Sequence, residues 1–200
     1  MNLPNKLTLL RIILTPIFMV AFMADFIPGS YFVAMIIFII ASVTDMLDGQ
    51  IARKRGLVTD FGKFMDPLAD KMLTTAAFIG FLAKGIGYGM EWILFIVLFR
   101  EFMVSSIRLV ASSSGGKVVA ANIWGKLKTV SQIVAIIFAL VIAQVVQILG
   151  WFPISGKIMS IIVIIAQISV SVPLWASAIL CVVSGVIYLL DNKDFIKQAK

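Results

Sequence analysis

Four aspartates stand close together in a chain that is otherwise mostly apolar: Asp45, Asp48, Asp66 and Asp70. Asp45 and Asp48 are three residues apart and Asp66 and Asp70 are four apart, so on helices each pair shares a face. Like charges about 4 Å apart repel by roughly 4 kcal/mol at an effective dielectric constant near 20, so such a cluster needs cations. The ligands are all carboxylate oxygens and the chain has no histidine, which favours Mg²⁺ or Mn²⁺ over Zn²⁺.

The composition predicts a membrane protein around these aspartates. Hydrophobic residues make up 61% of the 200 residues and charged residues 14%, and the mean hydropathy is +1.07. At roughly 20 residues per span, this length fits one all-α, polytopic bundle of about six transmembrane helices. We therefore expect residues 1–200 to form a single domain. The lone Cys181 lies in an apolar run, so no disulfide framework is expected.

Apolar runs and turn residues divide the chain into the expected spans. The predicted spans are residues 7–23, 31–44, a segment ending near 83, 91–111, a segment from about 129 to 149, and 173–190, the last preceded by a short segment ending near 169. Pro67 leaves two readings of the third span. Either Asp66 caps a helix that starts at Pro67, or the helix starts near Asp60 and is kinked. The second is favoured, because a stripe of Gly62, Asp66 and Asp70 needs a continuous helix.

Lysine and arginine gather in alternate connectors, in residues 1–6, 53–63, 117–128 and the C-terminal tail, whereas the other turns hold only Lys84 and Lys157. The positive-inside rule then places both termini and the aspartates on the cytoplasmic side. The net charge of +7 would meet anionic headgroups, so no nucleic-acid partner is expected. Arg11 interrupts the first apolar run and no A-x-A site follows, which favours a retained span over a cleaved signal peptide.

The spacing D-x2-D-G-x2-A-R-x8-G-x3-D-x3-D across residues 45–70 resembles the signature of the CDP-alcohol phosphotransferases, integral membrane enzymes that move a phosphatidyl or similar group from a CDP-linked donor to an alcohol. The resemblance implies two metal ions, one held by Asp45, Asp48 and Asp66 and a second by Asp66 and Asp70. It also implies that Asp70 takes the proton of the acceptor hydroxyl. The positions implied in binding the CDP-linked donor are Gly49, Ala52, Arg53, Thr59 and Gly62.

Three further segments are similar to the branch of this family that uses CDP-diacylglycerol as donor and sn-glycerol 3-phosphate as acceptor. They are residues 2–18 (NLPNKLTLLRIILTPIF), 100–108 (REFMVSSIR) and 125–129 (GKLKT). An arginine inside a span is costly without a partner or water, and a cationic cavity beside a metal site suits an anionic acceptor. The expected ligands of the acceptor's phosphate are Arg100, Arg108, Lys126 and Lys128.

Each of these cations also has a purely structural interpretation. Arg100 could pair with the aspartates of the neighbouring span or with Glu101. Arg108 could extend to the membrane interface, and Lys126 and Lys128 could be ordinary flanking charges. The alternatives for function are another acceptor (inositol phosphate, serine or phosphatidylglycerol) or a cation- or proton-coupled transporter, although no inverted repeat is visible. The resemblance further implies a homodimer in the cell membrane, with its active site facing the cytoplasm. No motif is assigned beyond residue 132.

Overall fold

The computed structural model describes residues 2–24, 26–55, 60–113 and 123–192. Every regular element in these ranges is helical, which confirms the all-α prediction. The six helices are α1 (Leu3–Met23), α2 (Ser30–Arg55), α3 (Asp60–Lys84), α4 (Met90–Ser113), α5 (Ile123–Leu149) and α6 (Gly156–Asp191).

Turn chemistry separates the helices where the sequence predicts it. The turn between α3 and α4 uses three glycines with positive φ, at Gly85, Gly87 and Gly89, a conformation that costs glycine little and other residues more. Space is also short there, because a Cβ on Gly89 would lie 2.9 Å from the Trp175 ring. This turn therefore requires glycine for both its backbone conformation and its packing.

The predictions at Pro67 and Pro173 have different outcomes. The helix α3 runs from Asp60 through Pro67 to Lys84 without a break, so the reading with a continuous helix is confirmed. The expectation of a short segment before a last span starting at Pro173 is wrong, because α6 is one helix of 36 residues with Pro173 inside it. A proline removes one backbone donor, and apolar helices tolerate this where neighbouring groups satisfy the freed carbonyl.

Contacts between side chains fix the direction of the helices. Arg11 near the middle of α1 pairs with Asp45 in the second half of α2, and Lys71 near the middle of α3 lies beside Glu101 near the middle of α4. Glu101 also bonds Lys128 near the start of α5. Together with the short turns that join α1 to α2, α3 to α4 and α5 to α6, these contacts show that the helices of each of these pairs run antiparallel. The charged residues lie at or beyond the middle of their helices, counted from those turns, and we call this side of the bundle the charged end. The turns α1–α2, α3–α4 and α5–α6 lie at the opposite end, the turn end.

The core between α1, α2 and α3 is aromatic. Phe22 stacks on Phe18 with ring centroids 5.8 Å apart and meets Phe81 edge-on at 5.6 Å. On α3, a Cβ at Gly80 would lie 2.5 Å from Phe22, so glycine lets α1 approach α3 closely. This packing holds α1 against the two helices that carry the aspartates.

At the turn end, α6 holds the α3–α4 turn through polar contacts. The Gln167 side chain donates to the Gly85 carbonyl at 2.7 Å and accepts from the Gly87 amide. Ser171 Oγ accepts from the Tyr88 amide at 2.8 Å. These bonds satisfy backbone groups that the turn leaves unpaired. They also fix the register of α6 against α3 and α4.

Among the described residues, three helices are long and apolar enough to cross a membrane by length and composition: Asn5–Met23, Ile123–Leu149 and Gly156–Asp191. In α2 the apolar part is shorter, at Ser30–Asp45, because the charged motif follows it. At 1.5 Å per residue, α6 would be about 54 Å long, which exceeds a hydrocarbon core of about 30 Å. A membrane span of this length would have to tilt or extend past the bilayer.

Candidate active site

Two helices carry the aspartate motif, as its spacing predicts. Positions 45 and 48 are helical neighbours on α2, and positions 66 and 70 are helical neighbours on α3. Because α1 packs against both helices, its side chains can reach the same region. The side chains of Asp48, Asp66 and Asp70 lie outside the described part of the structure, so their predicted role as metal ligands stays a prediction.

Asp45 is the aspartate whose side chain is described, and it forms an ion pair with Arg11. The Arg11 Nη1 atom lies 2.6 Å from Asp45 Oδ1, with the arginine side chain 1% exposed and the aspartate 39% exposed. A buried guanidinium needs such a partner. The pair therefore fixes one carboxylate oxygen of Asp45 while the rest of the side chain stays open to solvent.

Arg11 belongs to a buried polar stripe on α1 that consists of Asn5, Thr8, Arg11 and Thr15. Spacings of three and four residues put these side chains on one helix face. Within the helix, Thr15 Oγ1 donates to the Arg11 carbonyl at 2.9 Å. The first helix thus presents polar groups to the helices that bear the aspartates, although it is otherwise an apolar span.

A second charged group, which we call the Glu101 cluster, joins four helices at the charged end. Glu101 Oε1 accepts from Lys128 Nζ and from Arg100 Nη1, the latter at 3.2 Å. Lys71 Nζ lies 4.0 Å from the other carboxylate oxygen and also donates to Ser105. From α6, Ser184 Oγ accepts from Arg100 Nη2 at 2.8 Å.

The Glu101 cluster is cationic and largely buried. Its members are Lys71, Arg100, Glu101, Ser105, Lys128 and Ser184. The side chains of Glu101 and Lys128 are 12% and 9% exposed. Three cations against one carboxylate leave a net charge of +2, and buried charges of one sign favour an anionic ligand.

Buried polar atoms without a partner lie close to this cluster. Within the described residues, Arg100 Nε, Gln132 Nε2 and the Tyr188 hydroxyl have no hydrogen-bond partner. Gln132 is one helical turn from Lys128 on α5, and Tyr188 is one turn from Ser184 on α6, so they share faces with cluster members. Because unpaired buried polar groups are costly, these atoms are available to a ligand.

The four cations predicted to bind the acceptor's phosphate differ in their exposure. Arg100 and Lys128 meet at Glu101, whereas Arg108 and Lys126 are exposed on α4 and α5. The structural interpretation of Arg100, pairing with Glu101, is observed. It does not exclude a ligand, because Arg100 has five donors and its Nε has no partner in the described part of the chain.

The predicted donor-binding residues are only partly placed. Gly49, Ala52 and Arg53 lie on α2 and Gly62 on α3, but nothing beyond these backbone positions is described. Thr59 lies outside the described residues. The sequence positions therefore remain the basis for this part of the site.

The mapped pockets lie away from the charged end. One of about 240 Å³ is lined mostly by apolar residues of α5 and α6, together with Tyr31 of α2, Ile86 of the α3–α4 turn, Gln147 and Gln167. Along α2, Tyr31 is 14 residues from Asp45, which corresponds to about 21 Å. A second pocket, of about 410 Å³, includes Tyr88 at the turn end. Neither pocket is lined by a charged residue.

Comparison with known proteins identifies the family. Residues 1–155 match the model of the CDP-alcohol phosphatidyltransferase family. This chain belongs to the CDP-alcohol phosphatidyltransferases.

Individual relatives are similar over most of the chain. A "CDP-diacylglycerol--glycerol-3-phosphate 3-phosphatidyltransferase" of Bacillus subtilis is 40% identical over 99% of this chain and 98% of its own chain. Proteins of the same name from Haemophilus influenzae and Pseudomonas fluorescens are 38% and 34% identical, over 68% and 70% of this chain and 73% and 72% of their own. The resemblance drawn from the aspartate spacing is confirmed.

Sequence reasoning missed three residues that form the ion pairs described above, Arg11, Lys71 and Glu101. Arg11 was interpreted only as evidence against a signal peptide, although an arginine in register with Asn5 and Thr8 on an apolar helix indicates a buried polar face. Lys71 directly follows Asp70 in the motif, and Glu101 was considered only as a partner of Arg100. The spacing of these residues along the chain gives no sign that they meet.

The residues present fit a hard divalent cation. Asp45 offers a carboxylate that is open on one side, and three further aspartates occupy the helical positions of the motif. The chain has no histidine, and Cys181 lies buried on α6. A donor set of carboxylate oxygens suits Mg²⁺ or Mn²⁺.

Proposed function

We propose that this chain is a metal-dependent phosphatidyltransferase that converts CDP-diacylglycerol and sn-glycerol 3-phosphate into phosphatidylglycerophosphate and CMP. Family membership and the names of its relatives support the reaction class and both substrates. The observation that carries the choice of acceptor is the Glu101 cluster, a largely buried group of charges whose member Lys71 directly follows Asp70 on α3.

The charge of the cluster matches a phosphorylated acceptor. A phosphate monoester carries about −1.5 to −2 charges at neutral pH, and the cluster has a net charge of +2. Burying three cations near one carboxylate is unfavourable unless a further anion joins them. A neutral acceptor such as glycerol, or a zwitterion such as serine, would leave this charge unmatched.

The four predicted cations act at different depths. Arg100 and Lys128, which are buried, bind the phosphate of the acceptor, with Lys71 beside them. Arg108 and Lys126 are exposed at the charged end, where they attract the anionic acceptor and complete the coordination of its phosphate. The exposed cations and the Glu101 cluster together favour an acceptor whose phosphate carries two negative charges.

Transfer then follows in one displacement. Asp70 accepts the proton of the acceptor's 1-hydroxyl, whose oxygen forms a bond to the lipid-bearing phosphorus of the donor. The bond from that phosphorus to the bridging oxygen breaks, and CMP leaves with the electron pair. Lys71, which adjoins Asp70 in the chain, keeps the acceptor's phosphate within reach of this base. Positioning and electrostatics supply most of the rate.

Two divalent cations, Mg²⁺ or Mn²⁺, held by Asp45, Asp48, Asp66 and Asp70, would offset the charge that develops on the donor's pyrophosphate. Arg11 holds one oxygen of Asp45, which fixes the orientation of that ligand. The donor lies along the motif, where its binding residues are Gly49, Ala52, Arg53, Thr59 and Gly62. Its acyl chains remain in the bilayer.

The enzyme is proposed to be a homodimer in the cell membrane, with six spans per protomer and both termini and the active site on the cytoplasmic side. The charged end supports this orientation, because the end of α2 and the starts of α1, α3 and α5 lie on that side of the bundle. The donor and acceptor are cytoplasmic metabolites or face the cytoplasm, in agreement with this placement.

The test is an acceptor panel. Purified protein is mixed with CDP-diacylglycerol, Mg²⁺ and one acceptor at a time, and CMP release is followed. The acceptors are sn-glycerol 3-phosphate, glycerol, serine, inositol phosphate and phosphatidylglycerol. We expect turnover with sn-glycerol 3-phosphate and little with the others. Comparable turnover with free glycerol would overturn the role of the Glu101 cluster, and preference for another acceptor would replace the proposed substrate.

A further inference from the structure

Helix α6 contributes to the charged end although the family match stops before it. The match covers residues 1–155, and α6 begins at Gly156. Ser184 Oγ nonetheless accepts a hydrogen bond of 2.8 Å from Arg100 Nη2. This contact joins residues 84 positions apart. An arginine proposed to bind substrate is thus held by a helix to which no motif is assigned.

Gly185 supplies the space for this contact. A Cβ at position 185 would lie 3.0 Å from Arg100 Cγ, 3.4 Å from Met103 Cε and 4.0 Å from Arg100 Nε. Glycine is unfavourable inside a helix, so its presence within α6 calls for a packing reason. The arginine stem lying across α6 provides that reason, because any larger side chain would push it away.

Together these contacts set the direction of the guanidinium. Glu101 accepts from Nη1 and Ser184 accepts from Nη2, while Nε has no partner among the described residues. A guanidinium presents its donors in one plane and binds phosphate best when that plane is fixed. With both terminal nitrogens held, the remaining donors are aimed before the ligand arrives, which lowers the cost of binding.

We propose that Ser184 and Gly185 form the seat of Arg100 on α6, and that this seat sets the affinity of the enzyme for the phosphate of its acceptor. Ser184 and Gly185 are positioning residues, since they act through Arg100 and not on the substrate. The inference rests on the proposed function, in which Arg100 binds that phosphate.

The test measures the KM for sn-glycerol 3-phosphate and for CDP-diacylglycerol in Ser184→Ala, Gly185→Ala and Gly185→Val. A misplaced charge-assisted hydrogen bond should raise the acceptor KM by about tenfold, more for valine than for alanine at position 185, with the donor KM unchanged. Gly156→Ala is the matched control, because a Cβ there has nothing within 4 Å. If Gly185→Val does not fold, the two smaller substitutions carry the test.

Double variants with Arg100→Ala separate a positioning role from a general structural one. If the seat acts through Arg100, then Gly185→Ala and Ser184→Ala add nothing to the acceptor KM of Arg100→Ala. If instead the acceptor KM of a double variant rises by the product of the two single-variant increases, the inference is overturned. A raised acceptor KM in Arg100→Ala with normal values in both seat variants would also overturn it and leave the proposed function standing. An unchanged acceptor KM in Arg100→Ala would overturn both.

Discussion

Replacing Glu101 by glutamine tests whether one buried carboxylate stabilises the charged end. The substitution keeps the size of the side chain and an oxygen that can accept a hydrogen bond, so it removes little besides the negative charge. That charge faces Lys128 in direct contact, Arg100 at 3.2 Å and Lys71 at 4.0 Å. Without it, three cations remain together in a site where Glu101 and Lys128 are about nine-tenths buried.

The expected loss is large for a single substitution. Removing one partner of a buried ion pair costs about 3–5 kcal/mol, because the other charge stays buried without compensation. For a chain of this length, a loss of about 1 kcal/mol in the free energy of unfolding lowers the unfolding midpoint by roughly 2–4 °C. Glu101→Gln should therefore lower the midpoint by about 6–20 °C, measured in one detergent at one scan rate.

Two further variants make this measurement specific. Glu91→Gln is the matched control, since Glu91 is exposed in the first turn of the same helix, and surface substitutions usually change stability by no more than about 0.5 kcal/mol. Adding Lys128→Met to Glu101→Gln should recover part of the loss, because an apolar side chain replaces an uncompensated charge. A midpoint for Glu101→Gln equal to that of the control would refute this account of the cluster.

Three other outcomes are expected. Excess chelator should abolish CMP release and added Mg²⁺ or Mn²⁺ should restore it, because the aspartates need neutralising cations; full turnover with chelator present would contradict the metal site. Asp70→Asn should stop transfer while CDP-diacylglycerol still binds, whereas Asp45→Asn should also weaken that binding, as a direct binding measurement would show; near-normal turnover of Asp70→Asn would assign the base elsewhere. Gly80→Ala should lower the unfolding midpoint through overpacking of about 1–3 kcal/mol, since its Cβ would lie 2.5 Å from Phe22; a midpoint like that of Gly156→Ala would show that the two helices can part without cost.

Local patterns predicted the helices well because each depends on nearby residues. Apolar runs and the glycine turn of residues 84–89 placed the ends of α3 and α4 within one or two residues of the observed positions. The error at α6 has a physical origin. Proline usually ends a helix in water, but a helix surrounded by apolar groups keeps its hydrogen bonds because broken ones find no water.

The sequence by itself determined the membrane class, the family and the aspartate motif. Composition is a property of the chain as a whole, and a spacing of three or four residues concerns neighbours in the chain, so neither depends on how the helices pack. Only the tertiary structure decided which distant charges meet. Arg11 reaches Asp45 across 34 residues, and Arg100 reaches Ser184 across 84. Such pairs form because each buried charge must find a partner inside the bundle, and which partner is near depends on how six helices pack. That packing is fixed by the fit of whole helix surfaces, and no short pattern in the chain records it.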